Sequence, residues 1–270
     1  MYGEIKFFQE YLLKNRKDLK TIHAYSVDID LFLQYVKKPI HNIEDIDIEK
    51  YKSFLLNKNY KISSINRKMV ALNVFMKYNN IIIDIRQEKI QTQSFSENLI
   101  ENDEFLDIIK QIELKQDYRA KALLYTMYYT GTRISECLSL TINDINKSTI
   151  LIKGKGKKYR NIFIPDKLKD IWYEYLPFRI NKGNKLFTGR RGEITSRYSN
   201  DIFKMYADLA NVEIRVAHNH NLRHLYCRQI ISKGVDIATL SDLVGHSDIN
   251  QTRKYLIKSK KELLDIINKL

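Results

Sequence analysis

The stretch that decides the fold of this chain lies in its last third, between His220 and Tyr255. It opens with H-N-L-R-H at residues 220–224, continues with L-V-G-H-S-D around His246 and closes with T-R-K-Y at residues 252–255. Imidazole, guanidinium and phenol groups at these spacings can gather around one phosphate, because a guanidinium donates two parallel hydrogen bonds to phosphate oxygens. The stretch therefore predicts a set of side chains suited to the chemistry of a phosphate group.

Two further motifs upstream supply cations. T-G-T-R-I-S-E carries Arg133, and the turn G-K-G carries Lys155. Taken singly, Arg133 has the position of a surface or capping arginine, and Lys155 has that of a lysine exposed at a hairpin tip. Arg133 nevertheless follows a Gly break between two apolar helices, where a charge needs a partner, and Glu136 lies at helical spacing from it. We therefore expect Arg133 and Glu136 to pair.

The histidines of this region also suggest a metal site. His220 and His224 are four residues apart on one helical face, and His218 and Cys227 lie close in sequence. Such donors bind zinc when a fourth ligand closes the site. Arg223 lies between the two histidines, however, and its positive charge opposes a cation. We therefore predict no metal here.

The composition favours a nucleic-acid partner without requiring one. The chain has 270 residues, enough for two domains that each bury a core, and a formal net charge of +14 with a pI near 9.5. Both halves of the chain are basic. A basic protein gains free energy on binding DNA because condensed counterions are released, but lysines also keep a surface soluble. Charge alone leaves both interpretations open.

The sequence predicts a cytoplasmic protein that does not enter a membrane. It has no apolar run of about 18 residues, and its first residues lack the apolar core of a signal peptide. The two cysteines, Cys137 and Cys227, are too few for a disulfide framework and lie in segments with helical apolar periodicity. We expect both to be reduced and buried.

Residues 1–84 predict a small bundle of four helices, because their apolar side chains recur every three or four residues. The helices are expected at residues 4–14, 18–36 and 47–56 and from Ser63 or Ser64 onward, with Asp47 and one of these serines as caps and with Leu19, Ile29, Phe32, Tyr51, Ile65, Met69 and Phe75 among the inward residues. Three basic residues, Lys61, Arg67 and Lys68, are predicted on the exposed face. They are candidate DNA phosphate contacts, and a merely solvated face is an equally good interpretation.

Residues 85–98 are polar and without period, and they predict a linker. The second domain is expected to hold helices at 102–112 and 117–130. A β-hairpin at 149–164 follows, where the apolar period changes to two. Later residues are expected to be helical apart from a possible short strand at Leu186 and Phe187. The predicted fold class is mainly α, with one small antiparallel hairpin.

Taken together and in chain order, six side chains resemble the active site of the tyrosine recombinases: Arg133, Lys155, His220, Arg223, His246 and Tyr255. T-G-T-R-I-S-E matches the first arginine motif of that family, and I-K-G-K-G-K-K-Y-R-N-I-F-I-P matches its lysine-bearing hairpin. H-N-L-R-H matches the H-x-L-R-H box, and L-V-G-H-S-D-I-N-Q-T-R-K-Y matches the block that ends in the nucleophile. The resemblance extends over about residues 97–260 and is nearest to the compact Xer-type members.

The resemblance implies a site-specific DNA recombinase that needs no metal, ATP or other cofactor. Tyr255 would form a 3′-phosphotyrosyl link, His220 would act as the base, and Lys155 would protonate the leaving 5′-hydroxyl. The two arginines and His246 would stabilise the transition state. Lys157 and Lys158 on the same hairpin turn are expected to contact DNA.

The resemblance also implies an organisation. Residues 1–84 would form a SAM-like core-binding domain, 85–98 a linker and 99–270 the catalytic domain. The partners would be double-stranded DNA with short core sites and three further copies of the chain, giving a homotetramer on two duplexes. The amphipathic segment 260–270 would be a helix that docks either on a neighbouring protomer or on its own domain.

Two other functions remain open on the sequence. A type IB topoisomerase uses similar covalent chemistry, although the paired H-x-L-R-H and G-H-S-D blocks favour a recombinase. A DNA-binding regulator with the same fold and no chemistry would not need all six groups. Within the recombinases, dimer resolution, inversion, integration and excision are all compatible with the resemblance.

Overall fold

A computed structural model describes residues 2–89, 95–96, 98–154, 159–180 and 183–245, together with residues 252, 258–259, 264 and 267–268. The chain divides into two compact units, Met1–Thr92 and Gln93–Leu270. In the described part no helix is long and apolar enough to cross a membrane.

The first unit is the predicted helical bundle. Its helices are α1 (Tyr2–Lys14), α2 (Leu19–Val36), α3 (Asp45–Asn57) and α4 (Ile62–Tyr78), with a 3-10 turn at Ile40–Asn42. Fully buried aromatic rings fill the centre, and Phe8 meets Phe75 edge to face at 5.1 Å between ring centroids. Leu19, expected inside, is the first residue of α2 and is 75% exposed.

Two helix starts differ from the prediction. Glu44, and not Asp47, caps α3; the Asp47 carboxylate instead accepts the backbone N–H of Glu44 at 3.0 Å, which completes a capping box. α4 begins after Lys61, so Ser63 and Ser64 lie inside its first turn and do not cap it. A capping box accounts for the first difference, since both Glu44 and Asp47 carry carboxylates that can accept N–H groups.

The expected basic face of α4 is only partly exposed. Lys68 is buried, and its Nζ lies 2.7 Å from Oδ1 of Asp28, a residue of α2 that is itself 1% exposed. Arg67 donates to the same carboxylate through both Nη atoms, and its side chain remains half exposed. The prediction that Lys68 lies on the exposed face was therefore wrong, because a buried Asp28 requires cations next to it. Lys61 is exposed.

The first unit continues beyond residue 84. Ile81, Ile83 and Ile85 pack against its core. The side-chain amide of Asn66 donates to the Glu88 carbonyl at 2.8 Å and accepts the Glu88 N–H at 2.8 Å, so it pairs with the chain as a neighbouring strand would. Residues 85–89, expected at the start of a linker, thus lie on the bundle.

The second unit is built around the buried helix α6, which packs against α5, α8, α9 and α10. Its helices are α5 (Asn102–Leu114), α6 (Tyr118–Thr130), α7 (Ile134–Cys137), α8 (Asp166–Tyr175), α9 (Ser196–Leu209), α10 (Asn219–Ser232) and α11 (Ile237–Val244). Its strands are β1 (Phe95–Ser96), β2 (Thr149–Lys153), β3 (Tyr159–Phe163), β4 (Thr188–Gly189), β5 (Gly192–Glu193) and β6 (Lys258–Ser259).

The predicted hairpin is present, with β2 and β3 antiparallel and Ile150 opposite Ile162. The expected strand at Leu186 and Phe187 was misplaced: both side chains are buried, and β4 begins one residue later, at Thr188. The parallel pairing of β1 with β6 was not predicted. The fold class is nevertheless mainly helical with small sheets, as predicted.

Two other expectations concern the cysteines and the tail. Cys137 and Cys227 are free and buried as predicted, and burial raises the pKa of Cys227 to about 12.

The predicted helix over residues 260–270 lies largely outside the described residues. Within it, Leu264 and Ile267 are exposed.

Candidate active site

Arg133 is placed by the end of one helix and the start of the next. α6 is capped at its C-terminus by Gly131, whose φ of 59° is the left-handed conformation and whose N–H donates to the Met127 carbonyl at 2.9 Å. The chain then turns, and Arg133 is the N-cap residue of the short helix α7. A glycine at this turn allows the reversal without backbone strain, and the Arg133 side chain is one-third exposed.

The carboxylate of Glu136 organises the cations around it. It is 2% exposed and accepts the backbone N–H of Arg133 at 2.8 Å and Arg133 Nη1 at 2.9 Å, so the predicted pair is confirmed. A third donor is Nη2 of Arg160, at 3.0 Å. Burial alone would raise the pKa of Glu136, but these hydrogen bonds and positive charges outweigh it and lower the pKa. Glu136 is therefore a buried anion at neutral pH.

Arg223, on α10, ties two helix ends together. Its side chain is fully buried, its Nη1 donates to the Gly131 carbonyl at 2.7 Å, and its Nη2 donates to the Val244 carbonyl at 2.6 Å. Gly131 caps the C-terminus of α6 and Val244 is the last residue of α11, and the carbonyls at the C-terminus of a helix carry partial negative charge. These two bonds orient the guanidinium next to the segment that carries Arg133.

His220 and His224 lie on successive turns of α10, with ring centroids 4.9 Å apart and planes at 90°. Loss of hydration lowers the pKa of His220, and the positive charge of Arg223 lowers it further. Burial, with a smaller contribution from His220, lowers the pKa of His224 to about 3. Both imidazoles are therefore neutral at neutral pH, and a neutral imidazole can accept a proton.

Arg160 is a member of this group that the sequence analysis did not identify. It projects from β3 with its side chain 9% exposed, donates through Nη1 to the Leu243 carbonyl and through Nη2 to Glu136. The signal was present in the alternation of β3, since residues 160, 162 and 164 share one face and Ile162 and Ile164 are buried. A charged side chain on the buried face of a strand requires a partner.

Two glycines leave room for these contacts. A Cβ added to Gly131 would lie 2.3 Å from a ring carbon of Tyr226. A Cβ added to Gly245, which caps the C-terminus of α11 with φ of 67°, would lie 2.4 Å from Cδ of Arg160. Both positions therefore require glycine for packing as well as for backbone conformation.

The structure brings together three of the six predicted residues. Arg133, His220 and Arg223 are close enough for both arginines to lower the pKa of His220. The other predicted residues of this domain lie outside the described residues: Lys155, Lys157, Lys158, His246 and Tyr255. Among the residues that are described, no three His, Cys, Asp or Glu side chains are grouped to hold a metal ion. A cluster of guanidinium groups beside a neutral imidazole is suited to an anionic phosphate and to proton transfer.

Proteins of known family are similar in sequence to this chain over nearly its whole length. Residues 98–262 match the phage integrase family, and residues 5–79 match the phage integrase N-terminal SAM-like domain. A tyrosine recombinase of Thermosipho africanus is 29% identical, with 98% of this chain and 99% of that protein covered. The tyrosine recombinase XerC of Pediococcus pentosaceus is 28% identical, with 98% and 96% covered.

A solved structure shares the fold. A lambda integrase tetramer bound to a Holliday junction has a TM-score of 0.76 at 16% identity, with 94% of this chain and 76% of that chain covered. Three observations point to the same family: the order of the arginine, histidine and tyrosine motifs, the helical architecture, and the sequence match over most of the chain. The chain therefore belongs to the phage integrase family and is a tyrosine recombinase, an enzyme that cleaves and rejoins DNA at specific sites.

Proposed function

We propose that six side chains form one active site that transfers DNA strands through a 3′-phosphotyrosyl intermediate: Arg133, Lys155, His220, Arg223, His246 and Tyr255. The observation that supports this most is the hydrogen bond from Arg223 to the carbonyl of Gly131, two residues before Arg133. Through this bond two guanidinium groups that are distant in sequence belong to one local structure. His220 lies on the same helix as Arg223, one turn earlier.

In the proposed cleavage step, the phenol oxygen of Tyr255 attacks the scissile phosphorus and the bond from phosphorus to the 5′ oxygen breaks. His220 takes the phenol proton, for which a neutral imidazole is required. Lys155 gives a proton to the leaving 5′ oxygen. Because the phosphate stays esterified to Tyr255, a 5′-hydroxyl can reverse the step without ATP.

The arginines and His246 would stabilise the extra negative charge of the five-coordinate phosphorus. Two planar guanidinium groups can each donate two hydrogen bonds to the non-bridging oxygens, which two ammonium groups cannot do with fixed geometry. Arg133 has one third of its side chain exposed, whereas Arg223 is fully buried. A phosphate therefore reaches Arg133 directly, and it reaches Arg223 only when atoms that cover Arg223 move.

We propose double-stranded DNA with short core sites as the substrate, bound by both units. Lys61 and the exposed part of Arg67 would contact phosphates from the first unit, and Lys157 and Lys158, which lie between β2 and β3 in sequence, would do so from the second. Cleavage of two strands in each of two duplexes needs four tyrosines, so we propose a homotetramer, the assembly of the lambda integrase structure on its Holliday junction. The segment 260–270 would link neighbouring protomers, and the reaction would take place in the cytoplasm.

Covalent capture tests the proposal without a known target site. A pool of randomised DNA duplexes is incubated with the protein, the mixture is denatured, and the DNA that stays attached to protein is sequenced. We expect attached DNA with wild type and none with Tyr255→Phe. Tyr173→Phe is the matched control, because Tyr173 is a half-exposed tyrosine of α8 whose hydroxyl bonds Asn146.

The alternatives give different results in the same assay. Attachment that persists in Tyr255→Phe would assign the nucleophile to another residue. Captured sequences without any shared site would indicate a topoisomerase-like enzyme. Tight binding of DNA by wild type with no attachment would indicate a regulator that lacks the chemistry.

A further inference from the structure

The buried carboxylate of Glu136 competes with a DNA phosphate for the guanidinium of the neighbouring Arg133. Glu136 is 2% exposed and ionised, so it needs compensating positive charge. If Arg133 alone supplied that charge, its guanidinium would be held by the carboxylate. It would then be less available to the DNA phosphate, which competes for the same donors.

Arg160 supplies the second cation. Its Nη2 bonds Oε2 of Glu136 at 3.0 Å, the oxygen that also accepts the backbone N–H of Arg133, while Nη1 of Arg133 bonds the other oxygen, Oε1. Each of the two guanidinium groups thus bonds a different oxygen of the carboxylate. With two arginines and one glutamate, the cluster keeps a net positive charge for an incoming phosphate.

Arg160 also connects three segments that the proposed site uses. It projects from β3, which follows Lys155 closely in sequence, and its Nη1 donates to the Leu243 carbonyl at the end of α11. Gly245 lies so close that a Cβ there would come within 2.4 Å of Arg160 Cδ. One planar group therefore fixes the hairpin, the start of α7 and the end of α11 relative to one another.

We propose that Arg160 is a positioning residue of the strand-cleavage reaction, which holds Glu136 so that the guanidinium of Arg133 is oriented and yet available to the scissile phosphate. The inference rests on the proposed function of Arg133. Arg160 itself does not contact DNA in this account. Its effect should therefore appear in the rate of cleavage and not in the affinity for DNA.

The first test compares variants of Arg160 on duplexes whose sites come from the covalent capture, each carrying a nick that traps the adduct. For Arg160→Met we expect the single-turnover rate of adduct formation to fall on the order of tenfold to a hundredfold, because a small displacement of a positioning group has effects of that size. The DNA dissociation constant should change less than about threefold, since the side chain is buried. Arg160→Lys, which keeps the charge but has one donor centre for two acceptors, should recover part of the rate.

A matched control uses a second arginine–glutamate pair of the same unit. Arg228 donates to both carboxylate oxygens of Glu101, at 3.3 and 3.0 Å. Arg228→Met should leave the rate of adduct formation within about twofold of wild type. An equal loss of rate in Arg160→Met and Arg228→Met would show a general loss of structure and would overturn the proposal.

The second test does not depend on cleavage. Denaturant midpoints are measured for Arg160→Met, Glu136→Gln and the double variant. Arg160→Met alone leaves a buried carboxylate with less compensation, so the double variant should lose less than the sum of the two single losses. Additive losses would mean that the pair does not interact, and this too would overturn the proposal.

The two proposals fail in different ways. Absence of any adduct with wild type would refute the proposed function, while the denaturant cycle would still report on the Arg160 contact. Normal adduct formation by Arg160→Met, with wild type active, would refute only the positioning role. If Arg160→Met does not fold, Arg160→Lys and the double variant give the comparison.

Discussion

Substitution of Gly131 by alanine tests the geometry that joins the two predicted arginines. The added Cβ would lie 2.3, 2.7 and 2.9 Å from three ring carbons of Tyr226, and residue 131 has φ of 59°. The left-handed backbone costs a non-glycine residue about 1–2 kcal/mol, and crowding of a packed core costs about 1–3 kcal/mol. We therefore expect Gly131→Ala to lose about 2–5 kcal/mol of unfolding free energy.

Gly234→Ala provides the control that separates the two contributions. Gly234 also has a positive φ, of 84°, but a Cβ there would meet nothing within 4 Å. We expect it to lose only the backbone contribution, about 1–2 kcal/mol. The difference between the variants, measured by chemical denaturation, isolates the contact with Tyr226.

A functional readout accompanies the stability measurement. The carbonyl of Gly131 accepts Nη1 of Arg223, so a displaced backbone should also misplace Arg223 and slow adduct formation in Gly131→Ala. Gly234→Ala should cleave at the wild-type rate. Equal stability losses in the two variants, with equal rates of cleavage, would refute the packing of Gly131 against Tyr226.

Three further predictions concern charge. The pKa of His224 is about 3 in the folded chain and near 6.5 in the unfolded chain, so the unfolded chain binds more protons between these pH values. The unfolding free energy should therefore fall as the pH is lowered from 7, and His224 should account for up to about 2 kcal/mol of this loss at pH 5. In chemical denaturation, the unfolding free energy of His224→Gln should depend less on pH. Lys68→Met should lower the unfolding free energy by about 3 kcal/mol, because the buried Asp28 loses its ion pair with Lys68 and keeps the one with Arg67. The salt dependence of DNA binding should stay unchanged. Lys61→Ala should do the reverse, with stability unchanged within about 0.5 kcal/mol and the slope of log affinity against log salt reduced by about 1.

The sequence predicted those features that depend on residues close together in the chain. The helices of both units follow from apolar periodicity, and the hairpin follows from the change to period two. Gly131 was expected at a helix end, where only glycine adopts the left-handed conformation without cost, and the structure has it there. The pairing of Arg133 with Glu136 was predictable because both partners lie within one helical turn.

Contacts between segments distant in sequence were harder to predict. Lys68 was placed outside because nothing near it in sequence indicates that Asp28, forty residues earlier, is buried beside it. Arg160 was passed over because its partners are Glu136 and a main-chain carbonyl at residue 243. The helix starts at Glu44 and Lys61 differed from expectation because several residues near each start can cap a helix, and tertiary packing chooses among them.

The end of α11 has a consequence for how this enzyme tolerates mutation. The carbonyls of Leu243 and Val244 each accept a hydrogen bond from a different guanidinium, that of Arg160 and that of Arg223. Main-chain acceptors belong to every residue type, so neither hydrogen bond depends on a particular side chain at its acceptor, although the Val244 side chain is itself buried against Leu240 and Cys227. Carbonyls also carry no net charge, and these bonds orient the arginines without cancelling their positive charge. The orientation of both cations thus depends on the course of the main chain at the end of α11, and therefore on Gly245, the glycine that caps this helix.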